Sequence, residues 1–254
     1  GSTLKAGSSS ACGLPNGTTS TGTVTINGTF DLNGYSPTLH SLTGSGTVTS
    51  GVSGTCTVTV LGDGYEGYYY DTFSGVIEDG SGTVALTKVS SSGQTLAGTN
   101  TYSGGTTVSA GTLQVGNNTS TGTLGTGAVV NSGSLAFKRS GTATIGNAIS
   151  GTGTLTQYSG TLVLTGSNTY SGTTTIYEEA TLQVGNGGTS GTLGSGAVAY
   201  ADDWNLWSDY SQLVFNRSDG VTSSNAITGA VNVTVAAGST LKAGSSSACG
   251  LPNG

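Results

Sequence analysis

The chain has 254 residues and a formal charge of −6, with 46 Gly, 3 Pro, one His and no Met. Only 7% of its residues are charged, and the Lys and Arg stand singly apart from Lys138-Arg139, so there is no basic stripe for nucleic acid or an anionic membrane surface. No apolar run approaches the roughly 18 residues of a spanning helix, which argues against membrane insertion of this segment.

Hydrophobic residues reach 33%, and they alternate with Thr or Ser instead of scattering as in a disordered chain. The first strand signal is Ser2-Thr3-Leu4-Lys5-Ala6, followed by Thr23-Val24-Thr25-Ile26. Pro37-Thr38-Leu39-His40-Ser41-Leu42 reads as one strand carrying the only His, whose role there is structural. Thr57-Val58-Thr59-Val60 and Thr161-Leu162-Val163-Leu164 repeat the period-2 pattern of β-branched residues bounded by Gly and Asn. Nowhere does the 3.6-residue spacing of an amphipathic helix appear, so essentially no α-helix is expected. Gly is assigned to tight corners, where φ is often positive. Asn117, Asn147 and Asn186 are placed to cap or ladder at turns.

Two repeats organise the chain. Gly1 to Gly17, GSTLKAGSSSACGLPNG, recurs letter for letter from Gly238 to Gly254, an offset of 237. The expected organisation is a single continuous segment over 1–254, with 1–237 as one full tandem unit and 238–254 as the start of the next. Inside the unit, LAGTNTYSGGTTVSAGTLQVGNNTSTGTLGTGAV (Leu96 to Val129) matches LTGSNTYSGTTTIYEEATLQVGNGGTSGTLGSGAV (Leu164 to Val198). This degenerate repeat divides 96–163 from 164–237, and an insertion around Tyr200 to Gln212 interrupts the second copy. Short strands with many turns suit a sandwich, a barrel or a solenoid, and an open-ended array that tolerates loop insertions selects the solenoid. At roughly 20–25 residues per coil and ~4.8 Å per step, a unit makes about ten coils and ~50 Å of length.

Thr72 to Val89 (TFSGVIEDGSGTVALTKV), the two LxGxNTYSGxTT(V/I) segments and both TLQVGN segments resemble the autotransporter-associated β-strand repeat, also called the passenger-associated transport repeat. Ile26 to Val48 and STLKAGSSSACG have the same style. The resemblance implies an all-β, right-handed parallel β-helix in a secreted or surface-displayed bacterial protein, and a scaffold rather than an enzyme. The cysteines, the Trp-rich insertion and the undrifted long repeat favour a repetitive fibre or a giant adhesin over a lone passenger. The partners expected are other copies of the chain, end to end and possibly side by side, with glycans or surfaces as the alternative.

Cys12 and Cys249 are one position in successive units, so each unit carries two cysteines, Cys12 and Cys56. An even count in an extracellular protein favours a Cys12–Cys56 disulfide, with an intermolecular bond or two buried thiols as the alternatives. In the insertion, Tyr200, Trp204, Trp207 and Tyr210 stand among Asp202, Asp203 and Asp209. Packing or self-association is the leading reading there. Aromatic faces with carboxylates also suit sugar stacking, and the acids suit Ca²⁺. Tyr65, Tyr68, Tyr69 and Tyr70 form a second contact loop, whose acids Asp63, Glu66 and Asp71 fit no standard Ca²⁺ spacing. No cofactor motif and no catalytic constellation stands out. Glu78-Asp79 and Glu178-Glu179 point to opposite sides if they lie on strands, or repel in solvent if they lie at turns.

Overall fold

The computed structural model describes residues 1–7, 22–62, 70–201 and 210–243. They form 25 strands and, among the described residues, no helix. The chain divides into two compact units, Gly1–Leu135 and Ala136–Gly254. Each is a stack of parallel coils, and the two together hold about ten turns, as the composition and spacing predict.

In the first unit, one sheet runs in the order Thr3–Lys5, Thr29–Asp31, Thr47–Thr49, Val76–Ile77. A second runs Thr38–Leu39, Thr55–Val60, Thr83–Lys88, Thr106–Val108, Val129–Asn131. A third contains Asp71–Phe73, Gly93–Leu96 and Thr112–Thr119. Register places like with like. Leu4, Phe30, Val48 and Ile77 form one column, and Leu39, Val60, Lys88, Val108 and Asn131 form another. Because side chains alternate across a strand, each inner column has an outer counterpart. Thr38, Thr59, Thr87, Thr107 and Val130 make one such row.

The second unit is built the same way. Thr154–Leu164 pairs with Thr174–Tyr177 through its first half and with Thr181–Val184 through its second. Ser211–Phe215 and Val231–Val235 extend the latter, giving columns Leu162–Leu182–Leu213–Val233 and Leu164–Val184–Phe215–Val235. Most of these aliphatic and aromatic side chains are fully buried, each stabilising the fold by about 1.5–3 kcal/mol relative to exposure. With so few charges, these columns are the main cohesive term.

One local expectation is corrected, and one left open is decided. Pro37–Leu42 is not one strand: it breaks at His40 into Thr38–Leu39 and Ser41–Thr43. Leu39, Ser41 and Leu42 are all buried, so the alternation fails and the chain turns a corner there. The acidic pairs lie past strand ends, and Glu179 occupies a left-handed turn conformation at φ 59°. Asp79 is engaged: its carboxylate accepts from the Val84 and Ser103 N–H groups and from the Ser103 hydroxyl. Those bonds outweigh the opposing effect of burial and hold its pKa below the ordinary value.

Candidate functional site

The two NTYSG segments build identical polar stations. Asn100 Oδ1 accepts from the Ile77 N–H at 2.9 Å, one coil back, while its Nδ2 donates to the Thr123 carbonyl at 2.7 Å, one coil forward. Asn168 does the same between the Ile149 N–H (3.0 Å) and the Thr192 carbonyl (2.7 Å). Each asparagine thus stands in for backbone where neighbouring strands end. Two residues on, Tyr102 shares a hydrogen bond with Thr106 at 2.7 Å, and Tyr170 with Thr174 at 2.8 Å. Burial pushes both phenols above their ordinary pKa, against a smaller lowering by the threonines, so they stay neutral. Gly125 lies on the Tyr102 ring and Gly194 on the Tyr170 ring, where a Cβ would meet ring carbon at 2.5 and 2.6 Å. This is why a Thr-Leu-Gly follows each NTYSG by about one coil. Asn100 and Asn168 are thus laddering asparagines.

Glycine has a second role beyond the corners. Gly28, Gly46, Gly75 and Gly98 stack in successive coils, none with positive φ. A Cβ on Gly46 would run into the Gly28 carbonyl, one on Gly75 into that of Gly46, and one on Gly98 into that of Gly75. Close approach of backbone to backbone requires glycine here.

The residues singled out in the sequence fall into three groups. Cys56 points into the first unit, 1% exposed, in register with Val84. It is a free thiol that donates to Ser50 Oγ at 3.3 Å and packs as a small apolar group. Cys12 and Cys249 lie outside the described residues, as do Tyr65, Tyr68, Tyr69, Asp202, Asp203, Trp204, Trp207 and Asp209. Tyr70 lays its ring over Gly93, where a Cβ would overlap the ring. Tyr200 sits on Val198–Ala201 beside Ile176, and Tyr210 is 50% exposed. Tyr70 belongs to the first unit and Tyr200 and Tyr210 to the second. Among the described residues, no three His, Cys, Asp or Glu side chains are grouped to hold a metal.

A surface cluster escaped the sequence reading. Tyr158 and Tyr177 lie with ring centroids 4.4 Å apart, and Lys138 Nζ sits 5.7 Å from the Tyr158 centroid. The signal was their spacing of about one coil, which stacks residues distant in sequence.

Lys88 is the outlier of the interior. It is fully buried in the column between Val60 and Val108, with its ammonium turned to the Ser90 carbonyl at 2.9 Å and the Val89 carbonyl at 3.3 Å. Burial lowers its pKa from 10.5 to about 8. The unfolded chain therefore holds more protons than the folded one across that window, and stability rises with pH from about 8 upward. Between about pH 7.5 and 9.5, below tyrosine titration, denaturant unfolding is expected to show a gain on the order of 1–2 kcal/mol. Lys88→Met removes that gain. A rise of the same size in the variant would show that another group carries it.

Parallel coils, single-file interior columns and polar side chains committed to bonds between coils define a β-solenoid scaffold. Residues 79–115 and 157–184 match the passenger-associated-transport-repeat family, each segment spanning one NTYSG station and ending on a TLQV strand. Over these two segments the chain is similar to a structural repeat of autotransporter passengers, and the parallel β-solenoid around them agrees with that similarity. It matches no curated protein and no solved structure. Among the described residues, no helix is long and apolar enough to cross a membrane.

Proposed function

We propose that this chain is a length of an extracellular structural fibre, in which β-solenoid units follow one another as a filament, sheath or surface thread. The carrying observation is the use of its buried polar groups. Gln94, Asn100, Asn168 and Asn225 all bond to backbone of a neighbouring coil: Gln94 Nε2 to Asp71 O at 2.9 Å, and Asn225 Nδ2 to Gly194 O at 2.7 Å. Such side chains resist separation of coils, which is a mechanical task. The outward Thr rows add no charge that would oppose lateral packing. Secretion to the cell surface or beyond agrees with the passenger repeat.

Negative-stain microscopy of the native material tests this. Ordered filaments with an axial repeat near ~50 Å, from about ten coils at ~4.8 Å, are expected. Isolated flexible rods would overturn the filament and favour a stalk that displays something else.

A further inference from the structure

The segment Ser2–Ala6 and the segment Ser239–Ala243 have the same letters, and the structure places the two copies differently. Thr3–Lys5 is the end strand of its sheet and pairs in parallel with Thr29–Asp31. Leu241–Ala243 pairs in parallel with Val221–Ser223. The two copies also use opposite edges. Toward Thr29–Asp31, the Ser2 carbonyl accepts from the Thr29 N–H (2.9 Å) and the Ala6 N–H donates to the Asp31 carbonyl (2.8 Å). Toward Val221–Ser223, the Thr240 carbonyl accepts from the Val221 N–H at 2.7 Å, and Thr240 is the counterpart of Thr3. In a parallel strand, alternate residues serve alternate neighbours, so even positions of the first copy face one way and the odd counterpart faces the other.

We propose that in the tandem array a single STLKA strand is the joint, bonded on one edge to Val221–Ser223 of the preceding unit and on the other to Thr29–Asp31 of the following one. The partner is a second copy of this chain, in a fixed register. The interior column at the joint reads Val221, Leu, Phe30, Val48, Ile77, and the column beside it Thr222, Lys, Asp31, Thr49. Both columns suit the joint. Leu4 is 50% exposed over a groove that Val24, Ile26 and Phe30 also line, which is the apolar surface a preceding coil would cover. Lys5 lies 3.4 Å from Asp31, whose carboxylate is held below its ordinary pKa first by the Gly51 N–H, against burial, and then by Asn33 and Lys5. Lys242 gains the same partner from the next unit.

The inference rests on the tandem reading above but not on filament formation, and a joined pair of copies separates the two. One protein carries residues 1–237 followed by 1–254, sharing one STLKA strand. The comparator carries 1–254, a flexible Gly/Ser linker, and 1–254 again. Hydrogen exchange is read at the Leu241 amide, which faces the open edge when nothing follows. In the shared protein it is expected to slow by about tenfold or more relative to the comparator. Equal exchange in the two proteins would overturn the joint. A slowed amide in material that forms no filaments would leave the joint standing and remove only the fibre.

Discussion

Gly98→Ala is expected to cost about 3 kcal/mol of unfolding free energy, the upper part of the range for overpacking a filled interior. The methyl group has nowhere to go, because the Gly75 carbonyl of the coil below occupies its place and the Ser74 carbonyl stands 2.7 Å away. Relief would require separating two coils, and that breaks parallel pairing on both sides. Gly188→Ala is the matched control, since nothing lies within 4 Å of where its Cβ would stand and its φ is ordinary. Denaturant unfolding of the two variants should therefore differ by most of the full effect. Equal stabilities would mean that the coils are not in contact along the glycine column.

Asn100→Ala is expected to cost about 3–4 kcal/mol, because it leaves the buried Ile77 N–H and the Thr123 carbonyl both without their partner, at roughly 1–3 kcal/mol each. The aspartate variant discriminates a ladder from simple space-filling. Asn100→Asp keeps an acceptor for Ile77 but turns a carboxylate toward the Thr123 and Gly98 carbonyls. Such a buried acid has a raised pKa, so its penalty is largest near neutral pH and shrinks as the pH falls through that raised value. If Asn100→Asp instead weakened steadily with acidification, the Nδ2 bonds would not be the stabilising ones.

The architecture was legible because period 2 and the coil-length repeats both survive in the letters. Val58, Leu86 and Phe73 alternate with Thr in the chain and are buried where the alternation places them. The corner at His40 was not legible, since a bend that keeps Leu39, Ser41 and Leu42 all inside looks like strand in one dimension. The asparagine ladder was half legible. The NTYSG match marked the right residues, but only the stacking of coils shows that Asn100 reaches Ile77 behind it and Thr123 ahead. Lys88 was invisible as a buried group, because its place in Thr83–Lys88 looks like the end of an amphipathic strand. Tyr158 and Tyr177 meet only because one coil separates them.

In the proposed fibre, coils stack along the axis and each strand lies across it. Fibre diffraction from aligned native material tests this most directly. A reflection at ~4.8 Å along the fibre axis is expected, the spacing of hydrogen-bonded strands. The same spacing found across the axis would place the strands along the fibre, and the stacked-coil account would then be wrong.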